Sequence, residues 1–145
     1  MSTFVSHSTE ETEAFACRFA EGLRSGDVLA LFGGLGMGKT AFVRGLAQGL
    51  GSTSEVSSPT FALVHEYDGR LPIFHFDMYR ISGLDDLYST GFFEYLESGG
   101  IVVIEWSENI EPYLPPETKR IRIDRTDGAA ENERRLTIEN EDSGD

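Results

Sequence analysis

The chain has 145 residues and carries 25 Asp and Glu against 12 Lys and Arg, a formal charge of −13. That length suits one domain, and 39% hydrophobic residues with ten Phe and five Tyr suffice for a core, which excludes wholesale disorder. With only two lysines, Lys39 and Lys119, and an isoelectric point near 4.5, the chain lacks the basic stripes that grip a polyanion, so no direct nucleic-acid binding is expected.

The longest apolar runs, residues 28–32 and 101–104, are far shorter than the ~20 residues of a membrane span. Residues 1–11 have no basic start and no apolar stretch, so no signal peptide is expected. A lone cysteine, Cys17, excludes an internal disulfide and a cysteine-cluster metal site and reads as a buried small hydrophobe. These features predict a cytoplasmic protein without a membrane partner.

Ser8 and Glu11 offer a capping box for a helix with Phe15, Phe19 and Leu23 on its apolar face, closed by Gly26. Residues 28–32, Val-Leu-Ala-Leu-Phe, read as a buried strand. A glycine-rich loop follows, then a helix to about Leu50 with Phe42, Leu46 and Leu50 four apart and Gly51 behind. Residues 52–59 read as a loop. Residues 61–67 and 71–76 read as strands joined at Asp68-Gly69-Arg70. Residues 84–96 predict one or two short helices interrupted at Gly91. Residues 101–106 predict a strand, and residues 120–124 and 135–138 two more. The order predicts a single α/β domain over residues 1–138, with a mixed, partly parallel sheet flanked by helices. Residues 139–145 form an acidic, solvated tail on this reading, with Arg134 and Arg135 before it as charge relief.

Gly33-Gly34-Leu35-Gly36-Met37-Gly38-Lys39-Thr40 fits G-x-x-x-x-G-K-[ST], between a buried strand and an amphipathic helix. Glycines let backbone N–H groups curl around phosphate oxygens, Lys39 supplies a point charge, and the Thr40 hydroxyl is a Mg²⁺ ligand. The helix that follows points its positive end at the anion. The nucleotide-binding set is Gly33, Gly36, Met37, Gly38, Lys39, Thr40 and Ala41. Gly34 adds a second flexible position. A glycine turn that binds nothing explains this pattern poorly, and the chain is expected to bind a nucleoside triphosphate.

Such a loop needs an acid on a neighbouring strand to hold Mg²⁺. Glu105 ends the apolar run 101–104 and fits that role, the alternative being a surface Glu at a strand end. Trp106 is either a core residue at the sheet edge or a contact near the nucleotide or a partner. Ser57-Ser58-Pro59-Thr60-Phe61 has an extended shape set by Pro59 and reads as a plain loop or as a switch-like segment. In His75-Phe76-Asp77-Met78-Tyr79-Arg80, alternation places His75, Asp77 and Tyr79 on one face, too polar for a core. Asp77 could orient a water or pair with Arg80, which could itself touch phosphate. His75 reads as an orienting hydrogen-bond donor. His7 and His65 read as unpartnered surface residues.

The phosphate loop, Ser58-Pro59-Thr60-Phe61, His75 to Arg80 and Ile104-Glu105-Trp106, in this order, resemble the TsaE (YjeE/YdiB) family, small ATPases of bacterial tRNA threonylcarbamoyladenosine biosynthesis. The resemblance covers roughly residues 8–124. It implies a P-loop NTPase-type fold and ATP rather than GTP. It implies Thr40 and Glu105 as Mg²⁺ ligands, Asp77 as an acid important for hydrolysis and Thr60 as a switch-like residue, and it puts Thr12 near the adenine. It also implies a TsaB–TsaD-type complex as partner, with tRNA engaged only through that complex. Gly34 departs from the Asp or Asn usual in the family, and the family's basic residue near the nucleotide could fall on Arg134 or Arg135. The other reading is a small-molecule P-loop kinase. Against it, only about forty residues follow Glu105, and no Arg-rich lid appears among them.

Overall fold

In the computed structural model, residues 2–33, 38–53, 56, 64–125 and 131–139 are described. They build one seven-stranded sheet from β1 (Ser2–Ser6), β2 (Val28–Phe32), β3 (Val64–Tyr67), β4 (Ile73–Asp77), β5 (Ile101–Glu105), β6 (Lys119–Asp124) and β7 (Arg134–Glu139). The order is β1-β7-β6-β2-β5-β4-β3. β6, β2, β5 and β4 are parallel, and the β3, β7 and β1 pairings are antiparallel. The fold is α/β with a mixed, partly parallel sheet.

The continuous apolar strands are explained by helices on both faces. From β2, Leu29 and Leu31 face α1 (Thr9–Ala20) and α2 (Lys39–Gly49). Val28 faces the opposite layer, where Leu87, Phe92 and Ile110 come from α3 (Leu84–Ser89), α4 (Phe92–Leu96) and a 3₁₀ helix (Ser107–Tyr113). Gly91, at φ 79°, separates α3 from α4 as its position in the sequence suggests. Phe42, Leu46 and Leu50 are all buried, and Gly51 follows at φ 77°.

Several boundaries differ from the sequence reading. Ser8 caps α1 by accepting from the Glu11 N–H at 3.0 Å. Glu11 does not return the bond to Ser8. It accepts from the His7 N–H at 2.9 Å and meets the His7 ring at 3.1 Å. The backbone bond first, then the ring, holds the Glu11 carboxyl below its ordinary value. His7, read as unpartnered, therefore has a partner, and His65 lies 3.4 Å from the Tyr67 hydroxyl. Helix α1 stops at Ala20, well before Gly26, because its buried stripe is Thr12, Ala16 and Ala20, and Leu23 packs from beyond the helix. Phe15 and Phe19 flank that stripe, and Cys17 is half-buried rather than buried. The small stripe is matched by Gly45 and Gly49 on α2, which let the two helices touch backbone to backbone.

Strand β1 pairs with β7 and has no strong hydrophobic pattern, its residues being mostly exposed at the sheet edge. β4 is shifted towards Asp77, and β7 runs one residue past 138. β5 ends at Glu105 because Trp106 turns into the left-handed region at φ 60°, ψ 42°. The 3₁₀ helix beyond it escaped the sequence reading, since Pro112 and a kink at Ile110 erase any helical period. Among the described residues, no helix is long and apolar enough to cross a membrane.

Candidate functional site

The four parallel strands finish at one end of the sheet in Phe32, Asp77, Glu105 and Asp124. Ligands of open parallel sheets sit at that end, outside the carboxyl ends of the strands. Gly33 leaves β2 at φ 143° and Gly38 enters α2 at φ 100°, conformations that L side chains rarely adopt. No side chain caps the start of α2, and no acid stands in its first turn, whereas α1 has Ser8, Glu10 and Glu11 there. Among the described residues, the N–H groups at Gly38, Lys39, Thr40 and Ala41 have no acceptor. Gly34, Gly36 and Met37 lie outside the described residues, as do residues 57–61 with Thr60, and residues 140–145 of the acidic tail.

Lys39 is the anomaly of this end. Its side chain is buried, 6% exposed, and Nζ has no hydrogen-bond partner among the described residues. What it does have is the face of Trp106, 4.7 Å from Nζ to the ring centroid. A cation–π contact is worth about 2 kcal/mol when desolvated, while burying a lone ammonium costs several. The ring cannot offset the burial alone. An anion in front of α2 would.

Trp106 is held from several sides. Tyr79 packs on its indole at 4.8 Å between centroids, Asn109 N–H donates to its carbonyl at 3.2 Å, and Ser107 Oγ donates to Ile104 O at 3.0 Å. Left-handed backbone at a Trp costs on the order of 1–3 kcal/mol and persists only when the surroundings over-determine it. Here the turn presents the indole to Lys39. Trp106 is therefore both a packed residue and a member of the site.

Asp77 and Glu105 occupy paired positions on β4 and β5, so two carboxylates emerge side by side. The Met78 N–H donates to Glu105 O at 3.0 Å, and Asn109 Nδ2 donates to Met78 O at 2.8 Å and Tyr79 O at 3.0 Å, which stitches the two strand ends together. Asp77 Oδ1 accepts from the Tyr79 N–H at 2.9 Å, so the carboxylate is oriented. No ion pair joins Asp77 to Arg80 among the described residues, which removes the structural pairing considered above, and Arg80 is exposed. The strand stops at Asp77, so Tyr79 is not on its face but beyond it, 60% exposed.

His75 is fully buried, which corrects the expectation that this face is too polar for the core. It is accommodated because both ring nitrogens are satisfied. Nε2 meets Glu105 Oε2 at 2.5 Å and Nδ1 meets the Tyr67 hydroxyl at 3.0 Å. The expectation that His75 orients a neighbour is fulfilled, with Glu105 as that neighbour. Tyr67 escaped the sequence reading. The hairpin at residues 68–70 offered a signal, since its register sets His65 opposite His75 and Tyr67 two residues away.

The donor set suits a hard cation. Among the described residues, the two carboxylates at adjacent strand ends have no Lys or Arg ion-pair partner, and Thr40 stands one residue beyond Lys39 at the start of α2. No cluster of three or more His, Cys, Asp or Glu forms a ready cage among the described residues.

Thr12 is buried on α1, its hydroxyl 2.7 Å from Ser6 Oγ. Ser6 ends β1 opposite Arg134, at the end of the sheet where β6 finishes. Arg134 donates to the carbonyls of Glu131 at 2.6 Å and Glu133 at 2.9 Å, while Arg135 is exposed. Thr12, against the end of β1, and Arg134, at the start of β7, thus share the site's end of the sheet but lie on its far side from β4 and β5.

Residues 6–136 match the family described as threonylcarbamoyl adenosine biosynthesis protein TsaE. The tRNA threonylcarbamoyladenosine biosynthesis protein TsaE of Bacillus subtilis is 45% identical over 130 residues, covering 89% of this chain and 79% of that protein. The Treponema pallidum protein of the same name is 41% identical over 119 residues, covering 82% and 88%. A crystal structure of Bacillus subtilis YdiB superposes with a TM-score of 0.78 at 40% identity, covering 94% of this chain and 83% of that one. The fold is accordingly of the P-loop NTPase type. Agreement in sequence and in structure over most of the chain places it in one family: it belongs to the TsaE proteins of threonylcarbamoyl adenosine biosynthesis.

Proposed function

We propose that this protein binds ATP with Mg²⁺ at residues 33–40, hydrolyses it, and so supports tRNA threonylcarbamoyladenosine modification through a TsaB–TsaD-type complex. The observation that carries the reading is Lys39, a buried ammonium without a hydrogen-bond partner among the described residues, at the start of α2, which no side chain caps. Charge and helix dipole both call for an anion there. The phosphate-loop pattern supports a nucleoside triphosphate as that anion.

On this reading the backbone N–H groups of Gly38, Lys39, Thr40 and Ala41, with those of Gly33, Gly36 and Met37 before them, cradle the phosphates. Lys39 leaves the indole to meet the β- and γ-phosphate oxygens. Thr40 and Glu105 would hold Mg²⁺, which supplies charge neutralisation at those oxygens when bound. Asp77, oriented by the Tyr79 N–H, accepts a hydrogen bond from the attacking water. Thr60 serves as a switch-like residue, and Thr12 takes the adenine side. Residues 1–138 act as one domain and residues 139–145 as a solvated tail. At −13 the protein reaches tRNA only through the partner complex.

The test is phosphate release from ATP with water as the sole acceptor. Free ADP and phosphate are expected from the parent and not from Lys39→Ala. Release that required an added small acceptor would establish a kinase instead. Hydrolysis by Lys39→Ala at the parent's rate would remove the site assignment.

A further inference from the structure

Three strands contribute one buried chain of polar groups. The Tyr67 hydroxyl on β3 lies 3.0 Å from His75 Nδ1 on β4, and His75 Nε2 lies 2.5 Å from Glu105 Oε2 on β5. Tyr67 and Glu105 are 4% and 5% exposed and His75 not at all. A carboxylate only accepts, so Nε2 carries the proton of the short bond. In the neutral ring Nδ1 accepts from the Tyr67 O–H, and in the imidazolium it donates to the Tyr67 oxygen; in both forms Nε2 donates to Glu105. Glu105 Oε1 receives no hydrogen bond from the described residues.

We infer that Tyr67 and His75 are positioning residues that lock one oxygen of Glu105 and leave the other directed to the divalent cation. This deepens the reading under Proposed function and rests on it. A glutamate has one methylene more than an aspartate and hence one more free torsion. Fixing that torsion only on binding costs conformational entropy that a side chain held beforehand does not lose. The bond to His75 imposes it beforehand, since the imidazole cannot move: Tyr67 holds its other nitrogen, and β3 and β5 flank its strand. Carboxylate–histidine pairs around metals work through the same geometry, usually with histidine as the ligand, and breaking them typically costs ten- to hundred-fold in metal affinity. Here the roles are exchanged. The carboxylate is the ligand and the histidine the holder.

The experiment measures ATP affinity by calorimetry in EDTA and again in saturating MgCl₂, for the full-length protein and for Tyr67→Phe, His75→Leu and His75→Gln. The factor by which Mg²⁺ tightens ATP reads the cation site, while the EDTA value reads the phosphate loop and the integrity of the fold. His75→Leu is expected to lower that factor by about tenfold with the EDTA affinity within about twofold of the parent's. His75→Gln, whose amide N–H stands near the Nε2 position, is expected to restore most of it, and Tyr67→Phe to lower it by a few-fold. An unchanged factor in His75→Leu overturns the inference, as do equal losses in EDTA and in Mg²⁺, which a merely structural histidine would give. Should His75→Leu not fold, Tyr67→Phe decides: a lowered factor supports the inference, and the parent's factor overturns it. If Mg²⁺ fails to tighten ATP in the parent itself, the assignment of Glu105 as a cation ligand falls instead, a result distinct from failure of the variants.

Discussion

Lys39 Nζ sits 4.7 Å from the centroid of the Trp106 ring, so the cation of the phosphate loop rests on an indole rather than on an anion. Both partners are held, Lys39 by the first turn of α2 and Trp106 by its left-handed turn after β5. The contact is a substitute for phosphate, and ATP should break it.

Trp106 is the chain's one tryptophan, so its fluorescence reports this contact alone. Titration with ATP is expected to change the emission, and Lys39→Met to abolish the change. Replacing a buried ammonium that has no hydrogen-bond partner among the described residues with an apolar side chain of similar length relieves several kcal/mol of desolvation, against about 2 kcal/mol of lost cation–π attraction. Ligand-free Lys39→Met should therefore melt no lower than the parent, while ATP, at a hundred times its parental Kd, no longer adds its roughly 2.7 kcal/mol. A variant that melts well below the parent would mean that Lys39 is structural.

Asp77 and Glu105 should separate chemistry from binding. The backbone at the start of α2 grips phosphate whatever these carboxylates are, so Asp77→Asn is expected to lower kcat by about a hundredfold or more with little change in nucleotide Kd. Glu105→Gln should lower kcat as well, but as a cation ligand it should also lose at least as much of the Mg²⁺-dependent tightening of ATP as His75→Leu does, with the affinity in EDTA near the parent's. Phosphate release and calorimetry on the same preparations check it. Equal losses in kcat and Kd for Asp77→Asn, or a loss of affinity in EDTA for Glu105→Gln, would assign that residue to binding of the phosphates or to folding.

The helix seam gives a prediction independent of the site. A Cβ on Gly45 would sit 2.7 Å from Ala16 Cβ and closer still to Glu13 O, and one on Gly49 would sit 2.7 Å from Ala20 Cβ and closer still to Cys17 O. Backbone cannot swing aside. Alanine's better helix propensity returns about 1 kcal/mol, less than the overpacking strain of a displaced helix pair, about 1–3 kcal/mol and occasionally more. Gly45→Ala and Gly49→Ala are each expected to lower the urea midpoint, whereas Gly22→Ala, whose Cβ would meet Phe19 O at an ordinary contact distance of 3.8 Å, should not. No loss at Gly45 would show that α1 and α2 slide apart freely.

Most of the sheet could be read from the chain because its central strands are short apolar runs bounded by turn residues, as at Val28 to Phe32 and Ile101 to Glu105. Lys39, Thr40, Asp77 and Glu105 were readable for a related reason: each stands at a fixed offset from the end of a strand or the start of a helix. Tyr67 was not, because its role depends on a ring one strand away and its own pattern is that of a core residue. Strand β1 was hidden too. Its pairing partner lies at the other end of the chain, and an exposed edge needs no hydrophobic alternation.

Last comes the read-out of hydrolysis. If ATP turnover is this protein's contribution to tRNA modification, another protein must sense the γ-phosphate. The indole of Trp106 and the 60% exposed ring of Tyr79 packed on it stand at the site's end of the sheet, where a docked partner could register whether Lys39 is on the ring or on phosphate. The isolated protein is therefore expected to be a slow ATPase that a TsaB–TsaD-type pair stimulates. By reciprocity, binding to that pair should differ between ATP-loaded and ADP-loaded protein. Transfer RNA alone should do nothing, since a chain at −13 repels a polyanion. Phosphate release with the two partners, with tRNA alone and with all three distinguishes the cases. Stimulation by tRNA alone, or none by the partners, would overturn this view and return weight to a small-molecule acceptor.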